Sequence, residues 1–180
     1  MTKIKWNFQT VPLPNHGKLA WGHRGEALLN IMERIRSGKL RRREAYAEFF
    51  KARCKGNLPG LGPAFFTKLI FFLGPKHKCH IMDQYGYIMD QWTAKSTNLL
   101  FQPPVVKIVG SWVTPDNDEG VYEEFCERVE QIAKLLGCCG AEAERQLFSQ
   151  RRPKPTHWRY YVQHIPTAPS AAKRVHCPIF

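Results

Sequence analysis

A lysine, two aspartates and a pair of glycines are the residues of this 180-residue chain whose types and spacing could do chemistry together. Lys68 lies in AFFTKLIFFL, where Phe65, Phe66, Leu69, Ile70, Phe72 and Leu73 cover so much of the circumference that the helix reads as buried and central. A lysine there is expensive unless its amine reaches a cleft or a partner. Desolvation would lower its pKa and leave more of the neutral, nucleophilic amine. The competing reading is a lysine whose stem crosses apolar surface to put its charge in water, and the pattern leaves both open. Ala64, Thr67 and Lys68 fall at i, i+3 and i+4 and form a narrow stripe of small or polar groups. Asp90 stands before QWTAKSTNLL and reads as a helix N-cap, which alone would account for it. A short duplication, HIMDQYG followed by YIMDQWT, gives Asp83 the same neighbours. Asp90 is preferred because the second copy runs on into a helix, whereas Gly86 interrupts the first.

The glycines belong to Leu58-Pro59-Gly60-Leu61-Gly62-Pro63. Gly60 and Gly62 allow a sharp turn that exposes successive N–H groups. Pro63 suits the first helical position, with Ala64 next, so orphan donors and the helix dipole favour an anion there. Such a turn suits one nucleic-acid phosphate and reads no base. An ordinary glycine-rich connection between helices would use the same residues. The charge favours the phosphate: 27 lysines and arginines against 15 acidic residues leave +12, an excess that attracts polyanions.

The elements that must position these residues are mostly helical. Residues 1–24 read as an extended arm, 26–38 and 41–54 as amphipathic helices, and Lys39, Arg41, Arg42 and Arg43 as a surface cluster or a phosphate grip. The hairpin helix and QWTAKSTNLLF follow; residues 105–113 are β-prone and 114–120 a turn. Residues 121–136 form a strong amphipathic helix with Phe125, Val129, Ile132 and Leu136 inward, and 140–149 another helix. Residues 151–180 are rich in proline and arginine and read as a packed tail or a basic arm. The fold class is therefore mainly α, with a helical domain over 25–150.

Six cysteines lack framework spacing and read as reduced thiols. Neither His77, Cys79 and His80 nor Cys138, Cys139 and His157 have zinc-finger spacing, so no metal and no cofactor are expected. There is no apolar run long enough for a membrane span and no signal-peptide core, so a cytoplasmic monomer is expected. Trp6, Trp21, Trp112 and Trp158 read as packing residues.

LPGLG at 58–62, the apolar helix behind it, the capping aspartate and AERQLFSQ at 143–150 together resemble the helix-hairpin-helix glycosylases, specifically the 8-oxoguanine DNA glycosylase family. GLGPAFFTKLIFF and YIMDQWTAKSTNLL look closer still to short bacterial proteins of this glycosylase fold. Some of those are encoded in antiphage operons of the CBASS type, alongside nucleotide-signalling and queuosine-type base-modifying enzymes. The resemblance covers roughly residues 25–150. It implies a compact helical bundle that flips a damaged or modified, purine-type base out of DNA. A lysine attacks the sugar C1′ as a Schiff base, and an aspartate steadies the developing positive charge.

By position Asp90, or Asp83, takes the aspartate role and Phe148 stacks on the base, with help from Trp92. Thr67 belongs to the same pocket, and Glu144 stands where the eukaryotic enzymes carry a base-reading glutamine. The lysine departs from the family pattern: Ala64 holds its usual place, and Lys68 follows one turn, about 5.4 Å, later. The chain also lacks room for the β-domain that helps the eukaryotic enzymes read 8-oxoguanine. The partners implied are DNA, with RNA or a modified nucleobase as alternatives, and companion proteins of a defence operon. A binding or scaffold module without catalysis is the competing class.

Overall fold

The computed structural model describes residues 19–74, 86–149 and 156–164. Asp83 and the group His77, Cys79 and His80 lie outside the described residues. Among the described residues the chain is mainly helical, in the order α1 (Leu19–Arg36), α2 (Arg42–Cys54), α3 (Pro63–Leu73), α4 (Gln91–Leu100), β1 (Ile108–Val109), β2 (Trp112–Val113), α5 (Glu119–Leu136), α6 (Gly140–Phe148) and α7 (His157–His164). The first helix starts at Leu19, inside the stretch read as an arm, and α7 lies inside the stretch read as a tail.

The centre is α5. Its stripe of Tyr122, Phe125, Cys126, Val129 and Ile132 is buried, as the 3.6-residue period requires, while Leu136 is exposed against expectation because it lies in the last turn before Gly137. Gly137 adopts φ +63° and ends the helix. Helix α2 lays Tyr46 flat on Tyr122, with ring centroids 4.7 Å apart. Phe66 of α3 joins this layer by stacking on Phe49 at 5.3 Å and meeting Tyr46 edge-on at 5.8 Å. Arg42 departs from the surface role expected of its cluster. It is buried and ion-paired to Glu123, at 2.6 Å, and to Glu130, so that it ties α2 to α5.

Helix α3 is only half sunk. Pro63, Phe66, Thr67 and Ile70 are buried, but Phe65 and Phe72 are exposed. Counting apolar residues around the helix overstated its burial, because α1, α2 and the Gly86–Asp90 segment leave the side of Phe65, Lys68 and Phe72 uncovered.

Two buried asparagines fasten the segment between α4 and α5. Asn98 of α4 donates to the Val106 carbonyl (2.7 Å) and accepts from the Val105 and Val106 N–H groups (3.1 Å each). Asn117 accepts from the Lys107 N–H (2.8 Å), donates to the Lys107 and Thr114 carbonyls (3.0 and 2.8 Å), and receives the Tyr46 hydroxyl on its own carbonyl (2.6 Å). The β-prone stretch is thereby a pinned hairpin, β1 antiparallel to β2. Cys54 is disulfide-bonded, against the expectation of a free thiol, whereas Cys126 and Cys138 are free. Among the described residues no helix is long and apolar enough to cross a membrane.

Candidate active site

The site forms around Gly86–Asp90, an irregular segment that runs from the core to the start of α4. It passes so close to its neighbours that a Cβ on Gly86 would stand 2.5 Å from the Ile70 side chain and 2.8 Å from the Tyr122 hydroxyl. Side chains from two helices hold the backbone of this segment. From α3, Thr67 Oγ1 accepts from the Met89 N–H at 3.0 Å and donates to the Pro63 carbonyl at 3.0 Å. From α6, Glu144 Oε1 accepts from the Ile88 N–H.

Asp90 then caps α4. Its Oδ1 accepts from the Trp92 and Thr93 N–H groups at 2.8 and 3.0 Å. Thr93 Oγ1 receives the Asp90 N–H (3.1 Å) and donates to the Ile88 carbonyl (2.6 Å), which completes a capping box. Every hydrogen bond to the Asp90 carboxylate falls on Oδ1, and among the described residues Oδ2 is left uncommitted.

A cavity of about 310 Å³ opens beside this segment. Phe71 and Ile88 form apolar walls, Thr93 and Glu144 bring polar atoms, and Ala141, Arg145 and Phe148 complete it from α6. Glu144 is buried, with a relative exposure of 6%. Its carboxyl is pushed up to about 7, first by burial and then by the negative charge of Asp90, while the Ile88 N–H pulls the other way. Phe148 stands at the rim, 38% exposed. Behind it Arg159 of α7 donates to the Phe148 and Ser149 carbonyls. The Arg159 guanidinium lies 3.8 Å from the Trp92 ring centroid and 5.0 Å from that of Phe148.

The structure thus brings Glu144, Phe148, Thr93 and, through its charge on Glu144, Asp90 to one place. Thr67 supports the site from behind through Met89 and does not line the cavity. Trp92 is likewise absent from the walls, and Arg159 covers one of its faces. Lys68 is exposed, the second of the two readings its pattern left open, and its ammonium rests 5.7 Å from the ring centroid of Phe65. At the hairpin, Gly60 takes φ +76° and Gly62 is the extended N-cap of α3, with Pro63 in the first turn and Ala64 after it. The Gly62 carbonyl accepts from the Phe65 and Phe66 N–H groups and Pro63 has no N–H, so in the first turn the Ala64 N–H is the one without an intrahelical acceptor.

Phe71, Ile88, Thr93, Ala141 and Arg145 were not foreseen. The stripe Ala64, Thr67, Lys68 extends by one turn to Phe71, and that spacing was the available signal. Nothing in the sequence singles out Arg159 from the other arginines near the C-terminus. Among the described residues no group of three or more His, Cys, Asp or Glu could hold a metal ion.

No curated protein and no solved structure matches this chain. A family model does: the family described as "Putative 8-oxoguanine DNA glycosylase OGG-like protein" matches residues 15–148, which takes in α1 to α6 and every wall of the cavity. The match spans well over half of the 180 residues, and the chain belongs to this 8-oxoguanine DNA glycosylase OGG-like family.

Proposed function

We propose that this DNA glycosylase-like chain draws a damaged or modified, purine-type base out of DNA and excises it in the cavity beneath Phe148. The observation that carries the reading is a buried carboxyl, Glu144, in the wall of an apolar cavity, with a second carboxyl, Asp90, outside the walls but near enough for its charge to act on the first. Paired carboxyls of this kind divide into an acid and a charge-bearing partner. Glu144, held near 7, keeps its proton in a large fraction of molecules at neutral pH. Asp90, with Oδ1 tied to backbone N–H groups, offers Oδ2 to positive charge.

The reaction is written as a hydrolysis. The N-glycosidic bond breaks and its electron pair leaves with the base, which takes a proton from Glu144. Water adds to C1′, and its proton passes by way of Asp90 to solvent. Glu144 is then reprotonated. Phe148 offers its ring to the extruded base. The turn at Gly60, Gly62, Pro63 and Ala64 holds a phosphate at the start of α3 and so fixes the strand. The Schiff-base route implied by the resemblance requires Lys68 to leave its seat on Phe65, and the exposed position of that lysine favours water as the nucleophile. Work in antiphage defence beside companion proteins belongs to the same proposal.

The test is base release, followed by mass spectrometry, from duplexes and single strands of DNA and RNA carrying modified bases. Asp90→Asn and Glu144→Gln are expected to abolish release and leave binding within about threefold. Borohydride trapping with a Lys68→Ala control separates the routes: an adduct that needs Lys68 replaces water by the amine. A second reading, a binding module without turnover, is favoured by Ala64 at the family's usual lysine position. It prevails if no base is released from any substrate while DNA is still bound.

A further inference from the structure

Helix α7 contributes nothing to the walls of the cavity, yet it is fastened to the end of α6 that carries Phe148. A helix leaves its last carbonyls without partners of its own. Those of Leu147 and Phe148, and that of the C-cap Ser149, are met from outside α6. Ser96 Oγ donates to the Leu147 carbonyl at 2.9 Å and accepts from the Trp158 indole N–H at 3.0 Å. Arg159 supplies the other two: Nη2 donates to the Phe148 carbonyl, and Nε donates to the Ser149 carbonyl at 3.3 Å. Ser149 takes φ +52°, a left-handed conformation uncommon for serine, and its hydroxyl meets that of Thr156, just ahead of α7. Trp158 is thus the packing residue it was expected to be, whereas Trp112, of which the same was expected, is 78% exposed in the β1–β2 hairpin.

Arg159 does more than end a helix. Its side chain is buried, and its guanidinium lies against two rings, those of Trp92 and Phe148, at distances suited to cation–ring attraction. Trp92 belongs to the first turn of α4, where its N–H is held by Asp90 Oδ1, so this ring springs from a capped and fixed backbone. Phe148 lines the cavity, and Arg159 and Trp92 do not. The Phe148 ring therefore stands between the guanidinium and the space where a base would enter. A ring at a rim has lost packing neighbours on its open side, and a cation seated behind it, bonded to the ring's own backbone carbonyl, restricts where it can point.

We propose that Arg159 is a positioning residue: it clamps the backbone and the rear of the Phe148 ring, so that the ring is set to receive a base before the base arrives. This rests on the excision reading above. Preorganisation of this kind lowers the cost of capture. Because Arg159 does not reach the cavity, its effect falls on uptake of the base and not on the breaking of the glycosidic bond.

The experiment uses the full chain with para-fluorophenylalanine incorporated at position 148, so that fluorine NMR reports the ring directly. One narrow resonance, displaced from that of the urea-unfolded chain, is expected. Arg159→Met keeps a long stem and removes the charge and the donors, and it should move the resonance toward the unfolded position or split it. Arg159→Lys keeps the charge without the planar fork and should fall between the two. Tyr160→Ala, on the exposed side of α7, should leave the resonance in place. Should Arg159→Met fail to fold, Trp92→Leu removes the ring that seats the guanidinium and should displace the resonance in the same sense. In base release, Arg159→Met should raise KM by about tenfold, as expected for a weakened base–ring stack, with kcat changed by about twofold at most. In a Phe148→Ala background the same substitution should change KM by less than about twofold, because its effect passes through that ring.

A moved resonance, together with a raised KM that vanishes in the Phe148→Ala background, supports the proposal. A resonance that stays in place overturns it, whatever the kinetics. So does a moved resonance with KM unchanged, or a loss confined to kcat. If the wild type releases no base, the excision reading falls by itself, and the resonance still decides whether Arg159 holds the ring.

Discussion

Glu144→Gln should reverse its effect on stability as pH changes, and the size of the reversal follows from where the carboxyl sits. Glu144 is buried beside Asp90, and its carboxyl is raised from 4.5 to about 7. Below about pH 4.5 it is protonated in the folded and the unfolded chain alike, so it contributes no pH dependence there. Between 4.5 and about 7 the unfolded chain releases the proton and the folded chain keeps it, so stability falls as pH rises. Above about 7 the loss is complete, and a displacement of that size is worth roughly 3 kcal/mol. Glutamine keeps the oxygen that receives the Ile88 N–H and does not titrate, but its amide needs a partner in a largely apolar cavity, at about 1 kcal/mol.

The variant should therefore be about 1 kcal/mol less stable than wild type at pH 4 and about 2 kcal/mol more stable at pH 8.5. In melting temperature that is a deficit of roughly 2–4 °C turning into a gain of roughly 4–8 °C. Thermal unfolding of both chains by circular dichroism across this range is the assay. The difference between the two curves cancels every group they share. A gap that stays constant from pH 4 to 8.5 would show that Glu144 is not held near 7, and the assignment of the general acid would go with it.

The remaining predictions concern the frame and the coupling of the two carboxyls. Asp90→Asn preserves the N-cap but removes the charge that helps hold the Glu144 proton, so the fall in stability with pH should be complete at a lower pH, measured in the same melts. Gly86→Ala puts a Cβ within 2.5 Å of the Ile70 side chain and should cost about 1–3 kcal/mol in urea unfolding. Arg42→Ala leaves Glu123 and Glu130 without their buried cation and should cost about 3–5 kcal/mol, whereas Arg43→Ala, on the exposed side of the same turn, should change stability by less than about 0.5 kcal/mol. Asn117→Ala removes the acceptor of the Lys107 N–H, while the Lys107 carbonyl keeps the Thr114 N–H, and should cost about 1–3 kcal/mol, with the fluorescence of Trp112 reporting a loosened hairpin.

Helices, caps and the hairpin turn were legible in the sequence because each is written locally. The α5 stripe shows its period, Asp90 stands where an N-cap must, and glycines occur where the chain takes positive φ, as at Gly60 and Gly137. Burial was legible only where a helix has a clear polar face. Helix α3 is apolar nearly all round, so its composition could not say which side would be left bare, and the surroundings of Lys68 stayed open until the fold exposed it. Arg42 and Arg43 are neighbours of one type with opposite fates, decided by Glu123 and Glu130 far along the chain. Trp112 and Trp158 also diverged. Trp158 found a partner in Ser96 at 3.0 Å, and Trp112 was left outside by a two-residue turn.

The same contrast bears on the chemistry. A side chain that acts by position alone, as Asp90 does at the head of its helix, can be read from its neighbours in sequence. One whose reactivity depends on what surrounds it cannot. Lys68 was the candidate for desolvation and Glu144 a base-reading position, but it is Glu144 that α6 turns inward against Ile88, while Lys68 of α3 is exposed. Under the proposed function, an acid beside a capped carboxylate would assist the departure of a base, and among the described residues no lysine stands in the cavity wall. The borohydride result for Lys68 and the pH dependence of Glu144 are therefore two readings of a single fact, namely which of these side chains the helices removed from water.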